Sequence, residues 1–485
     1  MAERRGGAWG VAVLAAMIGA FMVILDSTIV NVALPTMMRE LGAATDEIEW
    51  VLTIYMLVLG VVVPMSGWLG DFLGYRRLYV LSLLVFVAGS ALCGLAWSTG
   101  AMVAFRAVQA AGGGMIMPVT MAMIYRLVPR ERIGSAMGTF GLAMLVAPAI
   151  GPTLGGYLVE YVSWRWIFTI NVPVGIAGVA LSLLFIPEFE QVAAGRFDGW
   201  GALTAGAGLF FLLYALAEGP AAGWTAGPIL AMLALAFVSL AIFVWHELRT
   251  PEPLLDLRLF TYPTFTLGNL HIALITTGLF AALFYLPVFL QDVRGIGALD
   301  TGLLLLPPAV ASAVMMPVAG RLYDWAGPRA LVPAGTLLLA ASTYLFHRLA
   351  LDTPLGAIVW WSVLRSAGMG LTMMPAQTAA LSVVPTEKIG RASAITNIVN
   401  RVSASFGIAL LTNLLQGRVA VWRGRLAASG AGAPAPVALG REAFTRALDD
   451  VFLVMALLML LAVIPAVGLR KGDGGRRAPA HLAAD

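Results

Sequence analysis

The feature that most constrains this chain is a series of apolar runs, each close to the length of a membrane span. Six fall at about 10–34, 50–70, 78–97, 101–124, 134–159 and 165–187. Two follow at about 200–218 and 226–246, and six more near 264–290, 299–320, 330–347, 355–377, 390–413 and 447–469. A hydrocarbon core about 30 Å thick is crossed by a helix of about 20 apolar residues. Lipid offers backbone N–H and C=O groups no partner, so a spanning segment this long must bond internally as a helix. The expectation is an all-α polytopic membrane protein of about fourteen transmembrane helices, grouped six, two and six.

Composition agrees. The 485 residues are 60% hydrophobic and 12% charged, against about 25% charged for soluble globular chains. A soluble fold would lack its charged coat. Polar segments at Glu188–Asp198 and His246–Arg258 separate the groups. They divide the chain into an N-terminal six-helix half (1–187), a linker carrying two additional transmembrane helices (188–258), a C-terminal six-helix half (259–470) and a disordered cytoplasmic tail (471–485). A loop rich in Ala and Gly is expected at about 414–446. Arg4 and Arg5 precede the first run, which extends from Val11 to about Leu34. That exceeds the roughly 7–15 apolar residues of a signal peptide and reads as the first span. With both termini cytoplasmic, basic residues favour the inner loops by roughly two to one, as positive-inside topology requires.

The runs also repeat. Gly67-x-Leu69-x-Asp71-x-x-Gly74-x-Arg76 returns as Gly320-x-Leu322-x-Asp324-x-x-Gly327-x-Arg329. Val128-Pro129-x-Glu131-Arg132-Ile133-Gly134-x-Ala136 returns as Val384-Pro385-x-Glu387-Lys388-Ile389-Gly390-x-Ala392. Arg106 and Pro118 correspond more loosely to Arg365 and Pro375. Order and interval are kept throughout, the mark of an internal duplication. In each copy of the first motif glycine allows a sharp turn between close helix ends. The Asp and Arg could pair across the turn or with a neighbouring helix end, latching the cytoplasmic side.

Several classes are excluded. The net charge of +4 and the lack of a basic run among aromatics leave nucleic-acid binding unsupported. Cys93 is the single cysteine, and four scattered histidines suggest no metal site and no cofactor. A nucleotide-binding Gly-x-x-x-x-Gly-Lys-[Ser/Thr] loop and a nucleophile–base constellation are both missing, so an enzyme is not expected. A non-transporting receptor would need a sensory domain larger than the 414–446 segment.

Asp26 carries the most chemical weight. It sits deep in the first run, where a carboxylate costs about 2.5–3.5 kcal/mol on insertion scales, so it should face a cavity or a partner. Such a group can hold a proton in one conformation and release it in another. A structural Asp bonded to Thr28 or a neighbouring helix is the competing reading. Arg106 is its expected electrostatic partner, unless it snorkels outward. Arg365 and Arg401 are the other intramembrane arginines. Polar or aromatic residues within spans give the substrate-cavity candidates Asn31, Tyr55, Gln109, Asn269, His271, Tyr285 and Gln377. Each would equally serve as a helix–helix hydrogen bond.

The repeated loops resemble the signature loop of the major facilitator superfamily, over nearly the whole chain. Leu25-Asp26-Ser27-Thr28-Ile29-Val30-Asn31-Val32-Ala33-Leu34-Pro35 is similar to the helix-one motif of its fourteen-helix drug:proton antiporter branch, the EmrB/QacA type. Gly151-Pro152-x-x-Gly155-Gly156 resembles the antiporter motif, with Ala147 in place of its leading glycine. Arg106, Gln109 and the Gly112–Gly114 run resemble the helix-four motif assigned to proton coupling. Phe72 and Tyr75 stand where the loop motif usually has basic residues. The resemblance implies proton-coupled efflux of amphiphilic or cationic small molecules by alternating access, with Asp26 and Arg106 in coupling and no cofactor beyond the proton gradient. It implies a monomer in the bacterial cytoplasmic membrane, with lipid, substrate and protons as partners and room for a periplasmic adaptor. Proton-coupled movement of a specific metabolite or lipid-like substrate is the alternative. Gly151, Pro152, Gly155 and Gly156 read as a structural hinge and seal.

Overall fold

A computed structural model describes residues 8–189, 196–428 and 436–471, and every regular element in them is helical. The expected tail beyond 471, and Arg4, Arg5, Arg476 and Arg477, lie outside the described residues. The first half comprises α1 (Ala8–Leu41), α2 (Thr45–Val62), α3 (Ser66–Leu73), α4 (Tyr75–Gly94), α5 (Thr99–Leu127), α6 (Ile133–Tyr161), α7 (Trp166–Thr169) and α8 (Asn171–Phe185). The inserted pair is α9 (Gly199–Ala222) and α10 (Gly227–Arg249). The second half comprises α11 (Pro263–Val288), α12 (Ala298–Ala326), α13 (Pro328–Leu345), α14 (Leu355–Ser382), α15 (Ile389–Ala428), α16 (Pro436–Leu461) and α17 (Val463–Val467).

Twelve helices among the described residues are long and apolar enough to cross a membrane. α11 and α14 occupy the two remaining apolar runs and fall outside that set. In α14 the run is diluted by Arg365, by Ser362 and Ser366, and by small glycine and alanine positions. One expectation is corrected. Most of the segment 414–446 is helix, not loop: α15 continues to Ala428 and α16 begins at Pro436, with 429–435 outside the described residues. Its Ala, Leu and Arg content suits helix, and hydropathy marked only the apolar part.

The duplication is visible in the backbone. Gly74 and Gly327 end α3 and α12 with φ of 85° and 73°, a conformation that a side chain would oppose. The same helix-breaking residue thus turns the chain at the same point of each half. The halves meet in crossed fashion, with α6 against α12 along one seam and α15 against α3 and α5 along the other. α9 packs on α2 and α15 at this second seam, and α10 packs mainly on α9. Large apolar side chains are exposed around the perimeter, among them Leu184, Phe237, Trp200 and Ile464. Exposed large apolar side chains in such number are what a lipid solvent demands.

Candidate functional site: a buried ion pair and a latch between halves

Asp26 lies near the middle of α1, and Arg106 in the second turn of α5. Their side chains meet, with Arg106 Nη1 donating to Asp26 Oδ2 at 2.6 Å and both residues fully buried. The same nitrogen donates to Gln109 Oε1 at 2.7 Å, and Nε donates to the Val51 carbonyl at 3.2 Å. The guanidinium lies over the Tyr55 ring, 3.8 Å from its centroid. The other carboxylate oxygen accepts from Gln109 Nε2 at 2.8 Å and from Asn171 Nδ2 at 3.2 Å. Ser90 accepts from both amides and donates to the Phe168 carbonyl. Six elements, α1, α2, α4, α5, α7 and α8, therefore converge on one ion pair. A buried pair needs this to offset desolvation: close geometry and further hydrogen bonds on each partner.

Glycines permit the approach. A Cβ on Gly89 would meet the Gln109 backbone, and one on Gly112 would meet the Ser82 carbonyl and the Phe86 backbone. These contacts bring α4 close enough to α5 for Ser90 to reach the amides. Ser90 gave no signal in the sequence, being one small residue in an apolar run. Asn171 is, in the sequence, one isolated polar residue inside a span.

The repeated loops form a second polar constellation, where the halves abut. Asp324 accepts the Gly134 N–H, the Ser135 N–H and the Ser135 hydroxyl at 2.8, 2.8 and 2.6 Å, capping the start of α6. Asp71 instead accepts the Tyr75 hydroxyl at 3.0 Å and pairs with Arg126 at 3.6 Å and Arg391 at 3.9 Å. Arg126 also lies over the Tyr75 ring. Among the described residues neither Asp pairs with the Arg of its own motif. Arg76 donates to the Leu183 carbonyl at 2.7 Å, and Arg329 is exposed. Asp324 thus bonds the other half, whereas Asp71 bonds Tyr75 and Arg126 of its own half as well as Arg391 of the other. Beside these contacts Tyr125 donates to the Thr378 carbonyl, and a cavity of about 150 Å³ opens between Tyr125, Thr378, Tyr323 and Glu131.

The remaining candidates are dispersed. Asn31 is exposed and donates to the Ser27 carbonyl. Asn269 donates to the Phe265 carbonyl within α11. His271 is fully buried between the Ala462 carbonyl and the Thr372 hydroxyl. Tyr285 bonds Thr412, and Gln377 reaches the Met121 sulfur across the halves. Gly151 and Gly155 face α1: a Cβ on the first would fall on Thr28, and one on the second on Ile29. Gly156 has open space beside it, so the expected close packing involves only two of the three glycines. Pro152 lies within a continuous α6, together with Pro148. Among the described residues no His, Cys, Asp and Glu cluster could hold a metal.

A duplicated helical bundle with a lipid-compatible perimeter and a buried ion pair defines a multi-pass membrane transporter fold. The Major Facilitator Superfamily model matches residues 16–408, and the chain belongs to that superfamily. The multidrug resistance protein B homolog of Mycobacterium tuberculosis is 33% identical over 495 residues, covering 97% of this chain and 91% of that protein. The lincomycin resistance protein LmrB of Listeria monocytogenes is 30% identical, covering 82% of this chain and 85% of its own length. Among solved structures, the human organic anion transporter MFSD10 superposes with a TM-score of 0.63 at 15% identity, covering 93% of this chain and 99% of that one. The proton:xylose symporter XylE matches with the same TM-score at 13% identity, over 95% of each chain. At such identities the likeness concerns the fold.

Proposed function

We propose that this transporter is a proton-coupled exporter of amphiphilic or cationic small molecules. It works by alternating access in a bacterial cytoplasmic membrane, with fourteen spans and both termini inside. The observation that carries the reading is the buried Asp26–Arg106 pair, held by Gln109, Asn171 and Ser90. A proton arriving on Asp26 removes the Coulomb attraction to Arg106 and converts an acceptor oxygen into a donor. The network must then rearrange, and α1 and α5 carry that rearrangement to α6, which packs on α1 and borders the other half. At the opposite end of α6, Asp324 holds the latch. Proton occupancy and the closure between halves are thereby linked through one helix. The names of the relatives, multidrug and lincomycin resistance proteins, support efflux of drug-like substrates.

The test is dye or drug transport in proteoliposomes with an imposed pH gradient, wild type against Asp26→Asn. Gradient-driven export should be lost in the variant. Export that persists unchanged removes Asp26 from coupling. Lipid-like substrates form a second reading, which one observation favours. An apolar groove of about 570 Å³, lined by Leu14, Met17, Ile18, Phe21 and Val174, opens at the perimeter between α1 and α8.

A further inference from the structure

The two halves place an arginine at matching points of α5 and α14 but surround it differently. Arg106 has a carboxylate, an amide and a backbone carbonyl as acceptors. Among the described residues Arg365 has none of these. Its Nε and Nη1 are buried without a hydrogen-bond acceptor among the described residues. The Phe346 ring centroid lies 5.9 Å from its guanidinium carbon. The sequence explains why. At the spacing of Gln109 from Arg106, the second half has Gly368, where any Cβ would meet the Leu339 backbone. The helix equivalent to α1 is α11, which contains no Asp or Glu.

A guanidinium cannot shed its charge. Enclosed without a partner it bears the full desolvation cost of an ion, which an arriving anion would relieve. Its planar fork matches a carboxylate, sulfonate or phosphate ester through paired N–H donors. Access also differs between the two sites: Arg365 retains 8% of its surface, whereas Arg106 retains none. The surroundings are apolar and aromatic, since Phe346 packs with Trp361, Tyr285 and Phe289.

We propose that Arg365 binds the acidic group of an amphiphilic small molecule, whose apolar body lies against Trp361, the partly buried ring at the edge of the closed Phe346 cluster. The inference rests on the transport reading and sharpens its substrate class, since it admits carboxylate, sulfonate and phosphate amphiphiles. A positive head group is then not required for recognition.

The protein in phosphatidylcholine nanodiscs would be titrated calorimetrically with 1-naphthaleneacetate, its neutral amide, acetate alone and inorganic phosphate. The acid should bind at least about tenfold tighter than the amide, the worth of one charge-assisted pair. Arg365→Gln should abolish that preference and Arg365→Lys should retain part of it. The wild-type comparison of acid with amide needs no variant, so misfolding of Arg365→Gln leaves the test standing. Equal affinity for acid and amide, or a preference unchanged in Arg365→Gln, overturns the proposal. Acetate or phosphate binding as tightly as naphthaleneacetate overturns the amphiphile in favour of a free ion. Loss of acid binding in phosphatidylglycerol-containing discs overturns it in favour of a lipid phosphate. No gradient enters this assay, so its outcome is independent of whether Asp26 couples transport to protons.

Discussion

Asp324 Oδ2 accepts both the backbone N–H and the hydroxyl of Ser135, so a carboxylate of the second half caps the first turn of α6 in the first half. Its repeat mate Asp71 reaches α15 only through Arg391 at 3.9 Å, with the Tyr75 hydroxyl as its hydrogen-bond donor. The duplicated motif therefore makes two unequal latches. The difference follows from single residues: Ser135 corresponds to Arg391, and Pro328 to Tyr75.

Hydrogen bonds to a charged group contribute about 1.5–3 kcal/mol, and an anion at a helix N-terminus adds about 0.3–1 kcal/mol. Asp324→Asn should therefore open this end of the bundle more than Asp71→Asn does, by about tenfold in population. The readout is labelling of Thr378→Cys, a buried position beneath the latch, in a Cys93→Ser background. Equal labelling rates in the two variants would contradict the asymmetry.

The Asp26–Arg106 pair makes a stability prediction separate from transport. Removing one partner of a buried pair costs about 3–5 kcal/mol because the other charge is left enclosed. Asp26→Asn and Arg106→Gln should each lower thermal stability in detergent. The double variant should be less destabilised than the sum of the two, with a coupling of about 0.5–3 kcal/mol. Strict additivity would mean that the 2.6 Å contact contributes little to folding.

The span pattern, the duplication and the residues Asp26, Arg106 and Gln109 were legible because each breaks a local rule. A charge in an apolar run is conspicuous, and so is a motif repeated at a fixed interval. Ser90, Arg126, Arg391 and Ser135 break no rule in sequence, since each is an ordinary residue at a helix end or a small residue in a span. Their contacts span up to about 320 positions of chain and depend on how the halves cross. The extension of α15 to Ala428 was hidden for a different reason: arginines and small residues lower hydropathy without disfavouring helix.

The motif resembling that of antiporters makes a packing prediction. Gly151→Ala should clash with Thr28 and Gly155→Ala with Ile29, each costing about 1–3 kcal/mol as overpacking. Gly156→Ala should be neutral or slightly stabilising, because a Cβ there has open space. Thermal unfolding of the three variants checks this order. A Gly156→Ala as damaging as Gly155→Ala would show that all three glycines pack against helices in some other conformation.

The inserted pair is tied to the second half by Asp256, which follows α10. Its Oδ2 accepts from Lys388 at 2.7 Å and its Oδ1 from the Arg258 N–H at 3.2 Å. Lys388 sits in the turn that leads into α15, three residues before Arg391. The Asp256 carboxylate is buried, but the lysine is nearly half exposed, at 46%, so solvent screens the pair and its worth should be about 1 kcal/mol or less. The bond to the Arg258 N–H is a turn cap, worth about 0.5–2 kcal/mol. Lys388→Met should thus leave the linker almost as protected as in the wild type, and Asp256→Asn, which keeps an acceptor for the N–H, should behave similarly. Asp256→Ala loses both contacts and should expose Arg258 to trypsin several-fold faster. Cleavage rates at Arg258 in the three variants decide which contact anchors the linker: a Lys388→Met as sensitive as Asp256→Ala would assign the anchoring to the ion pair instead of the cap.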